Sequence, residues 1–151
     1  MTYCNAVRWK GNGAPPQATF PFTFEYQDRA DVKVALWDAN QTDPPTREYV
    51  ILTEYDDSDT QPDGHYYKWD NATTIRFVDQ DGADDPPPKG PITDPVTGDE
   101  IENIIIFRLT DVDPARAIFS PGSSIRAQDL NDNFEQLAMG IEESRCLIER
   151  L

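Results

Sequence analysis

The sequence predicts a mainly β fold: an antiparallel β-sandwich-like domain followed by one long C-terminal α-helix. Short runs of β-branched and aromatic residues recur through the first 122 of the 151 residues, and turn-forming clusters separate them. Such regular, punctuated strands are typical of two packed sheets. The remaining residues instead repeat apolar side chains with a helical period. We therefore expect a β-rich domain over 1–122 and a helix over 123–151.

The strand pattern is clearest in the first third of the chain. In "ATFPFTFEY", every second residue is aromatic, which places four rings on one side of a strand: Phe20, Phe22, Phe24 and Tyr26. Because Pro21 cannot donate to a ladder, this strand begins there or lies at a sheet edge. "DVKVALWD" follows, with Val32, Val34 and Leu36 on one face.

Four further segments complete the expected sheets. "EYVILTEY" is rich in β-branched and aromatic residues, and "YYKWD" leads into the alternating "TTIRFVD". "ENIIIFRLTDV" is the strongest apolar run before the helix, which favours a strand buried on both faces.

The segment 79–102 is predicted to be an exposed insertion between two strands. It holds eight acidic residues, five prolines and one lysine, and it offers few apolar side chains to offset the entropy cost of ordering. "DQDGADD" has the clustered carboxylates of a calcium loop, but the twelfth position from Asp79 is Gly90 rather than a glutamate. We expect a solvated loop that is dispensable for folding.

Charge excludes several classes of function. The formal net charge is −15, whereas nucleic-acid binding and docking on an anionic membrane need a basic surface. A basic protein surface remains a possible partner, although acidity can also serve solubility alone. The N-terminal stretch lacks the apolar core of a signal peptide, so we expect folding in a cytoplasm.

The sequence offers no convincing catalytic or metal site. Cys4 and Cys146 are isolated, and His65 is the only histidine, so we expect reduced thiols and no metal or cofactor. The carboxylate pairs Asp56-Asp57 and Asp84-Asp85 lie in turn-like segments, where adjacent side chains point apart. The serines near the helix lack a G-x-S-x-G elbow. We therefore predict that the protein is not an enzyme.

The C-terminal segment carries the spacing of a coiled-coil seam. From Leu130 onward, apolar residues alternate steps of four and three, with Ser144 at one step. The predicted self-association residues are Leu130, Phe134, Leu137, Ile141, Ile148 and Leu151. An ordinary helix packed on its own domain is the alternative, and Gly140 costs a helix roughly 1 kcal/mol relative to Ala.

The residues beside this seam bear on the number of strands. They are Asn131, Asn133, Ala138, Gly140, Arg145 and Leu147. Their scarcity of charge favours three strands, because dimeric coils usually carry charged pairs there, whereas the Ile-then-Leu choice within the seam favours two. The residues alone leave the number open.

The C-terminal block "PGSSIRAQDLNDNFEQLAMGIEES" resembles the end of the N-terminal tail-attachment domain of podovirus (autographivirus-type) bacteriophage tail fibre proteins. That family has a Gly-Ser-hydrophobic segment and then Ala-x-Asp-Leu-Asn, which opens a helix leading into the fibre shaft. The matching residues are Gly122, Ser123, Ile125, Ala127, Asp129, Leu130 and Asn131. Upstream, "TFPFTFEY", "DVKV", "TTIRF" and "IIIFRLTDVDPARAIFSPGSSI" are similar to the family's strands in order and spacing.

The resemblance covers most of the chain, from Ala18 to Glu143, with some departures. Tyr26 comes two residues late, the acidic insertion is longer than in the family pattern, and Arg126 stands where many relatives have a capping Thr or Ser.

The resemblance implies a homotrimeric virion protein, assembled in the host cytoplasm, that anchors fibres to a short tail. Its partners would be copies of itself, the phage tail ring proteins (adaptor and nozzle) and a distal fibre or tailspike. Two alternatives remain: a separate short adaptor on which another fibre or tailspike docks, and an unrelated acidic β interaction domain, which would be monomeric.

The N-terminal residues Tyr3, Val7 and Trp9 are candidate tail-docking side chains. They precede the first convincing strand and are followed by "GNGAPPQ", a hinge-like stretch. Trp and Tyr are favoured interface anchors. A buried first strand is the alternative interpretation of the same residues.

Overall fold

The computed structural model describes residues 6–9, 17–36, 50–87, 97–98, 102–113 and 115–149. The chain is mainly β, with two antiparallel sheets and one C-terminal helix, as the sequence predicts. The elements are β1 (Ala6–Trp9), β2 (Thr19–Pro21), β3 (Val32–Leu36), β4 (Val50–Ile51), β5 (Tyr66–Asn71), β6 (Thr74–Val78), β7 (Ile104–Arg108) and α1 (Ala127–Glu149).

The strands form one sheet in the order β1-β7-β3-β4 and another in the order β2-β6-β5. In the three-stranded sheet, β5 and β6 form a hairpin whose register runs from Tyr66 opposite Val78 to Asn71 opposite Thr74. The turn is held by the Asn71 side chain, whose Oδ1 accepts the Thr73 backbone N–H at 2.9 Å. This is the local bonding that makes Asn favourable in turns.

The aromatic run is a strand only in its first part. Phe20 and Phe22 are buried, but β2 ends at Pro21 and Tyr26 lies beyond it. As expected from Pro21, β2 lies at the edge of its sheet among the described strands, next to β6. Phe20 packs edge-on against Phe77 with ring centroids 5.5 Å apart, a favourable aromatic geometry.

The other apolar runs lie in the four-stranded sheet, and their burial agrees with the sequence prediction to different degrees. Val32, Val34 and Leu36 of β3 are buried as predicted. In β7, Ile104, Ile106 and Arg108 are buried, and Ile105 and Phe107 are half-buried, so one face alone is fully covered. The described part of "EYVILTEY", residues 50–55, contains the short strand β4, whose Val50 and Ile51 side chains are exposed. Because Ile105 and Phe107 are only half-buried, the expectation that β7 is buried on both faces was wrong.

The described residues divide into two compact units. The sheet unit comprises those within Ala6–Thr23 and Lys33–Ile106, and the helix unit those within Phe24–Val32 and Phe107–Leu151. The expected boundary at residue 122 differs from this division, because 24–32 and 107–122 belong with the helix. The side chains bonded to α1 in these two segments explain the difference.

The start of the acidic insertion forms a hydrogen-bonded turn, in which Asp81, Ala83 and Asp84 are exposed. Asp79 Oδ1 accepts the backbone N–H groups of Asp81 and Ala83, each at 2.9 Å. The Arg76 guanidinium binds Asp84 with two contacts of 2.9 Å. Residues 79–87 are thus tied to the β5–β6 hairpin. The dispensability of 79–102 for folding stays a prediction, and its less strongly bonded candidate is the part after Pro87. Most of that part lies outside the described residues.

The same turn lies against an aromatic ring. Gly82 adopts φ +76°, and a Cβ built on it would lie 2.9 Å from the Tyr55 ring. Burial, together with the nearby carboxylates of Asp57 and Asp81, raises the pKa of the Tyr55 hydroxyl. Both the positive φ and the closeness of the Tyr55 ring require glycine at position 82.

Candidate oligomerisation helix

Helix α1 begins at Ala127 without a side-chain cap. The Arg126 guanidinium instead binds the Asp129 carboxylate, with Nε to Oδ2 at 2.9 Å and Nη2 to Oδ1 at 3.0 Å. This bidentate pair raises the pKa of Arg126. Asp129 lies in the first turn, where a negative charge favours the helix dipole. The pair holds that carboxylate in place although the usual capping residue is missing.

The predicted seam of α1 faces away from the rest of the helix unit. Leu130 is 38% exposed, Phe134 65%, Leu137 52% and Ile141 66%. Ser144 completes the described seam, and its hydroxyl donates to the Gly140 carbonyl at 2.9 Å. That bond satisfies the one polar group that would otherwise interrupt an apolar stripe. The side chain of Ile148 and the whole of Leu151 lie outside the described residues.

A second stripe, one residue before each seam position, faces the helix unit. This polar stripe consists of Asn133, Gln136, Gly140 and Glu143, with the same three-four spacing. Met139 is the one buried apolar residue beside it. The helix thus buries polar and small side chains against its own unit and exposes its large apolar ones.

Glu143 is the most heavily bonded member of the polar stripe. Its Oε1 accepts the Arg108 Nε–H at 2.6 Å and the Thr110 hydroxyl at 2.7 Å. Its Oε2 accepts the Thr110 backbone N–H at 2.7 Å. Only 8% of the Glu143 side chain and 3% of the Arg108 side chain are exposed. Such a buried pair is tolerated because each charge has hydrogen-bonded partners.

The first half of α1 is bonded to the segment 111–117. The Gln136 amide accepts the Arg116 backbone N–H at 3.0 Å and donates to the Asp111 carbonyl at 2.6 Å. The Asn133 amide forms a matching pair with the backbone of Ala117, at 2.8 and 2.9 Å. The Arg116 guanidinium in turn binds the buried carboxylate of Asp31.

Gly140 lies against Val112 of this segment. A Cβ at this position would lie 2.6 Å from Cγ1 of Val112, which is closer than real contacts allow. The glycine that weakens the helix on propensity grounds therefore has a packing reason.

These contacts separate two interpretations that the sequence left as alternatives. α1 does pack on its own unit, yet it does so through the polar stripe and leaves the described seam exposed. Asn133 and Gly140, which the sequence suggested as uncharged flanks of a three-stranded coil, instead face the helix unit. Their lack of charge is thus explained without a third strand.

Sequence reasoning missed the polar stripe, the Arg108 and Thr110 side chains that bind Glu143, and the Asp31–Arg116 pair beside it. The three-four spacing of Asn133, Gln136, Gly140 and Glu143 was a usable signal, but polar residues on a helix are usually read as solvated. Which of the adjacent Glu142 and Glu143 is buried depends on where Arg108 lies, and that is a tertiary fact.

The predicted tail-docking residues are placed only in part. Val7 and Trp9 lie in β1, half-buried, and Trp9 Nε1 donates to the Pro21 carbonyl at 3.0 Å. They thus form the first strand rather than precede it. Tyr3 lies outside the described residues, as does Cys4, and the side chain of Cys146 is not described. The predicted reduced state of both cysteines stays a prediction.

Neither a metal centre nor a membrane-spanning helix is found in the part of the chain that the structure describes. Among the described residues, no group of three or more His, Cys, Asp or Glu side chains could hold a metal ion. No helix in that part of the chain is long and apolar enough to cross a membrane. Neither a protein-family model nor a curated protein matches the sequence.

Proposed function

We propose that the chain is a homotrimeric virion structural protein that anchors a receptor-binding fibre or spike to a short phage tail for host attachment. In this proposal the two sheets form a β-sandwich that docks on the tail, and α1 starts a three-stranded coiled coil. The resemblance of the C-terminal block to podovirus tail fibres supports the tail assignment. The observation that carries self-association is the exposed seam of α1.

Burial of that seam would stabilise an assembly. Complete burial of a Leu, Ile or Phe side chain contributes roughly 1.5–3 kcal/mol relative to exposure. Phe134 and Ile141 are both about two-thirds exposed. Their 3.5-residue repeat is the spacing that keeps one face of a helix against partners of equal period, which favours other copies of α1 as the occupant.

Three strands rather than two are proposed from the resemblance. The flanking residues no longer favour three, because Asn133 and Gly140 are used within the helix unit. Light scattering should give three times the 17.1 kDa chain mass. Twice that mass would replace the trimer with a dimer, and a monomer would overturn the proposal and support an acidic β interaction domain.

A seam substitution and a matched control test the interface itself. Ile141→Asp places carboxylates near a common axis, where repulsion and desolvation disfavour them, so the mass should fall to that of a monomer. Ile118→Asp makes the same change at an isoleucine that is 81% exposed and lies before the helix. The control should keep the assembled mass.

Tail attachment is tested separately with fibreless particles. The acidic protein should bind a basic tail ring surface, with an association rate that falls as salt increases. Deleting residues 1–5 removes Tyr3 and spares β1, whereas deleting residues 1–10 also removes Val7 and Trp9. If the shorter deletion gives a stable trimer that no longer attaches, the N-terminal residues dock. Normal attachment of that trimer would contradict a docking role for Tyr3.

A further inference from the structure

The bonds to Glu143 distinguish α1 from a helix that is held by apolar packing. We infer that a polar clamp, formed by Glu143, Arg108 and Thr110, positions α1 so that its seam faces outward for assembly with other copies. The inference rests on the proposed self-association through that seam. Glu143 is in this sense a positioning residue, since it lies outside the seam.

The clamp has one geometry in which all its bonds are made. Glu143 Oε1 accepts the Arg108 Nε–H at 2.6 Å and the Thr110 hydroxyl at 2.7 Å. Glu143 Oε2 accepts the Thr110 backbone N–H at 2.7 Å. Hydrogen bonds weaken steeply as donor and acceptor lose alignment. Apolar contact is non-directional and would not fix a rotation in this way.

The Arg108 donor is itself held by a group outside α1. Its guanidinium donates to the Glu25 carbonyl at 2.6 Å, whereas the exposed Glu142 of α1 adds only a longer contact of 3.2 Å, of the kind that contributes little. The Thr110 donors follow two residues later on the same segment. The donor half of the clamp, Arg108 and Thr110, is therefore fixed within the helix unit, and its bonds form only when α1 places Glu143 beside it.

A rotation of α1 would exchange the roles of its two stripes. Successive residues are about 100° apart around a helix, and each seam residue follows a polar-stripe residue directly. Turning the helix by one position would bring seam side chains toward the helix unit and take the Glu143 carboxylate away from the Arg108 Nε–H and from both Thr110 donors. Buried donors that lose their acceptor are unfavourable, so the clamp selects the rotation that leaves the seam exposed.

Hydrogen exchange and mass together test the clamp. The Thr110 amide reports it directly, because that N–H donates to Glu143. In wild type and in monomeric Ile141→Asp, we expect this amide to be protected. In Glu143→Ala we expect loss of that protection and a mixture of masses in place of one assembly. Glu142→Ala removes the same charge from the neighbouring residue, which is 58% exposed, and should keep both properties.

A milder variant covers the case in which Glu143→Ala fails to fold. Glu143→Gln keeps the shape and one acceptor oxygen, and we expect it to exchange faster at Thr110 than wild type and to assemble less uniformly. A wild-type-like single assembly in a folded Glu143→Gln or Glu143→Ala protein overturns the clamp alone. Unprotected Thr110 in Ile141→Asp does the same. A monomeric wild type overturns the proposed function, and the positioning role falls with it.

Discussion

The two units of the protein bury opposite kinds of side chain. In the described part of the sheet unit, nearly all buried residues are apolar, with Asn103 as the polar exception, and Phe20, Phe77, Ile75, Ile104 and Ile106 are at most 1% exposed. In the described part of the helix unit, most buried side chains are polar: Asp31, Arg108, Thr110, Gln136 and Glu143. Several of its large apolar side chains, including Phe134 and Ile141, lie on the surface.

This difference indicates that the two units are stabilised in different ways. The sheet unit removes its apolar surface from water by its own folding, which is the usual driving force for a domain. The helix unit instead relies on directional bonds and leaves apolar surface to be covered. Under the proposed self-association, assembly would cover the apolar surface that folding of the helix unit leaves exposed.

Replacing one phenylalanine by alanine in each unit tests whether the two units are stabilised differently. Phe77→Ala removes a ring that is 1% exposed and should lower the free energy of unfolding by about 3–5 kcal/mol. Phe134→Ala removes a ring that is 65% exposed and should change it by less than about 0.5 kcal/mol in a monomer. Denaturant unfolding in the Ile141→Asp background gives both values without the contribution of assembly. Equal losses would show that Phe134 belongs to a core.

The polar burial of the helix unit predicts a further contrast. Glu143→Ala leaves the Arg108 charge without its principal partner and should cost about 3 kcal/mol, whereas exposed Glu142→Ala should cost less than about 1 kcal/mol. The double change Arg108→Met with Glu143→Leu should recover most of the loss, because it removes both charges. Chemical denaturation of the four proteins measures this. A double variant as unstable as Glu143→Ala would show that the bonds, rather than the unpaired charge, determine the loss.

The sequence predicted the parts whose pattern is local. The period-two runs located β3 and β6, and the three-four spacing located the seam that the structure shows exposed at Leu130, Phe134, Leu137 and Ile141. It missed β1 because Val7 and Trp9 give only one step of alternation. It did locate β4, where the described Val50 and Ile51 pair with β3. The partners of Glu143 lie about 35 residues away in sequence, so no local pattern could reveal them.

The turn at Gly82 offers a smaller test, with the helix unit as control. Gly82→Ala combines a left-handed backbone, φ +76°, with a Cβ that lies 2.9 Å from the Tyr55 ring. Gly122→Ala has φ +79° and nothing within 4 Å of the added Cβ. Each should lose about 1–2 kcal/mol from strain, and Gly82→Ala should lose more because Tyr55 must move. Equal melting shifts in the two variants would indicate that Tyr55 does not pack over the turn.

The smallest expected effect concerns the contact between Gly140 and Val112. Alanine is favoured over glycine in a helix by about 1 kcal/mol, but a Cβ at position 140 would meet Val112 at 2.6 Å, so Gly140→Ala alone should not stabilise the protein. In a Val112→Ala background the obstacle is gone, and Gly140→Ala should then stabilise by about 0.5–1 kcal/mol. A double-mutant cycle on the Ile141→Asp monomer isolates this coupling from assembly. If Gly140→Ala stabilises equally in both backgrounds, Val112 does not lie against the helix, and the polar stripe is held less closely than the hydrogen bonds of Gln136 and Glu143 indicate.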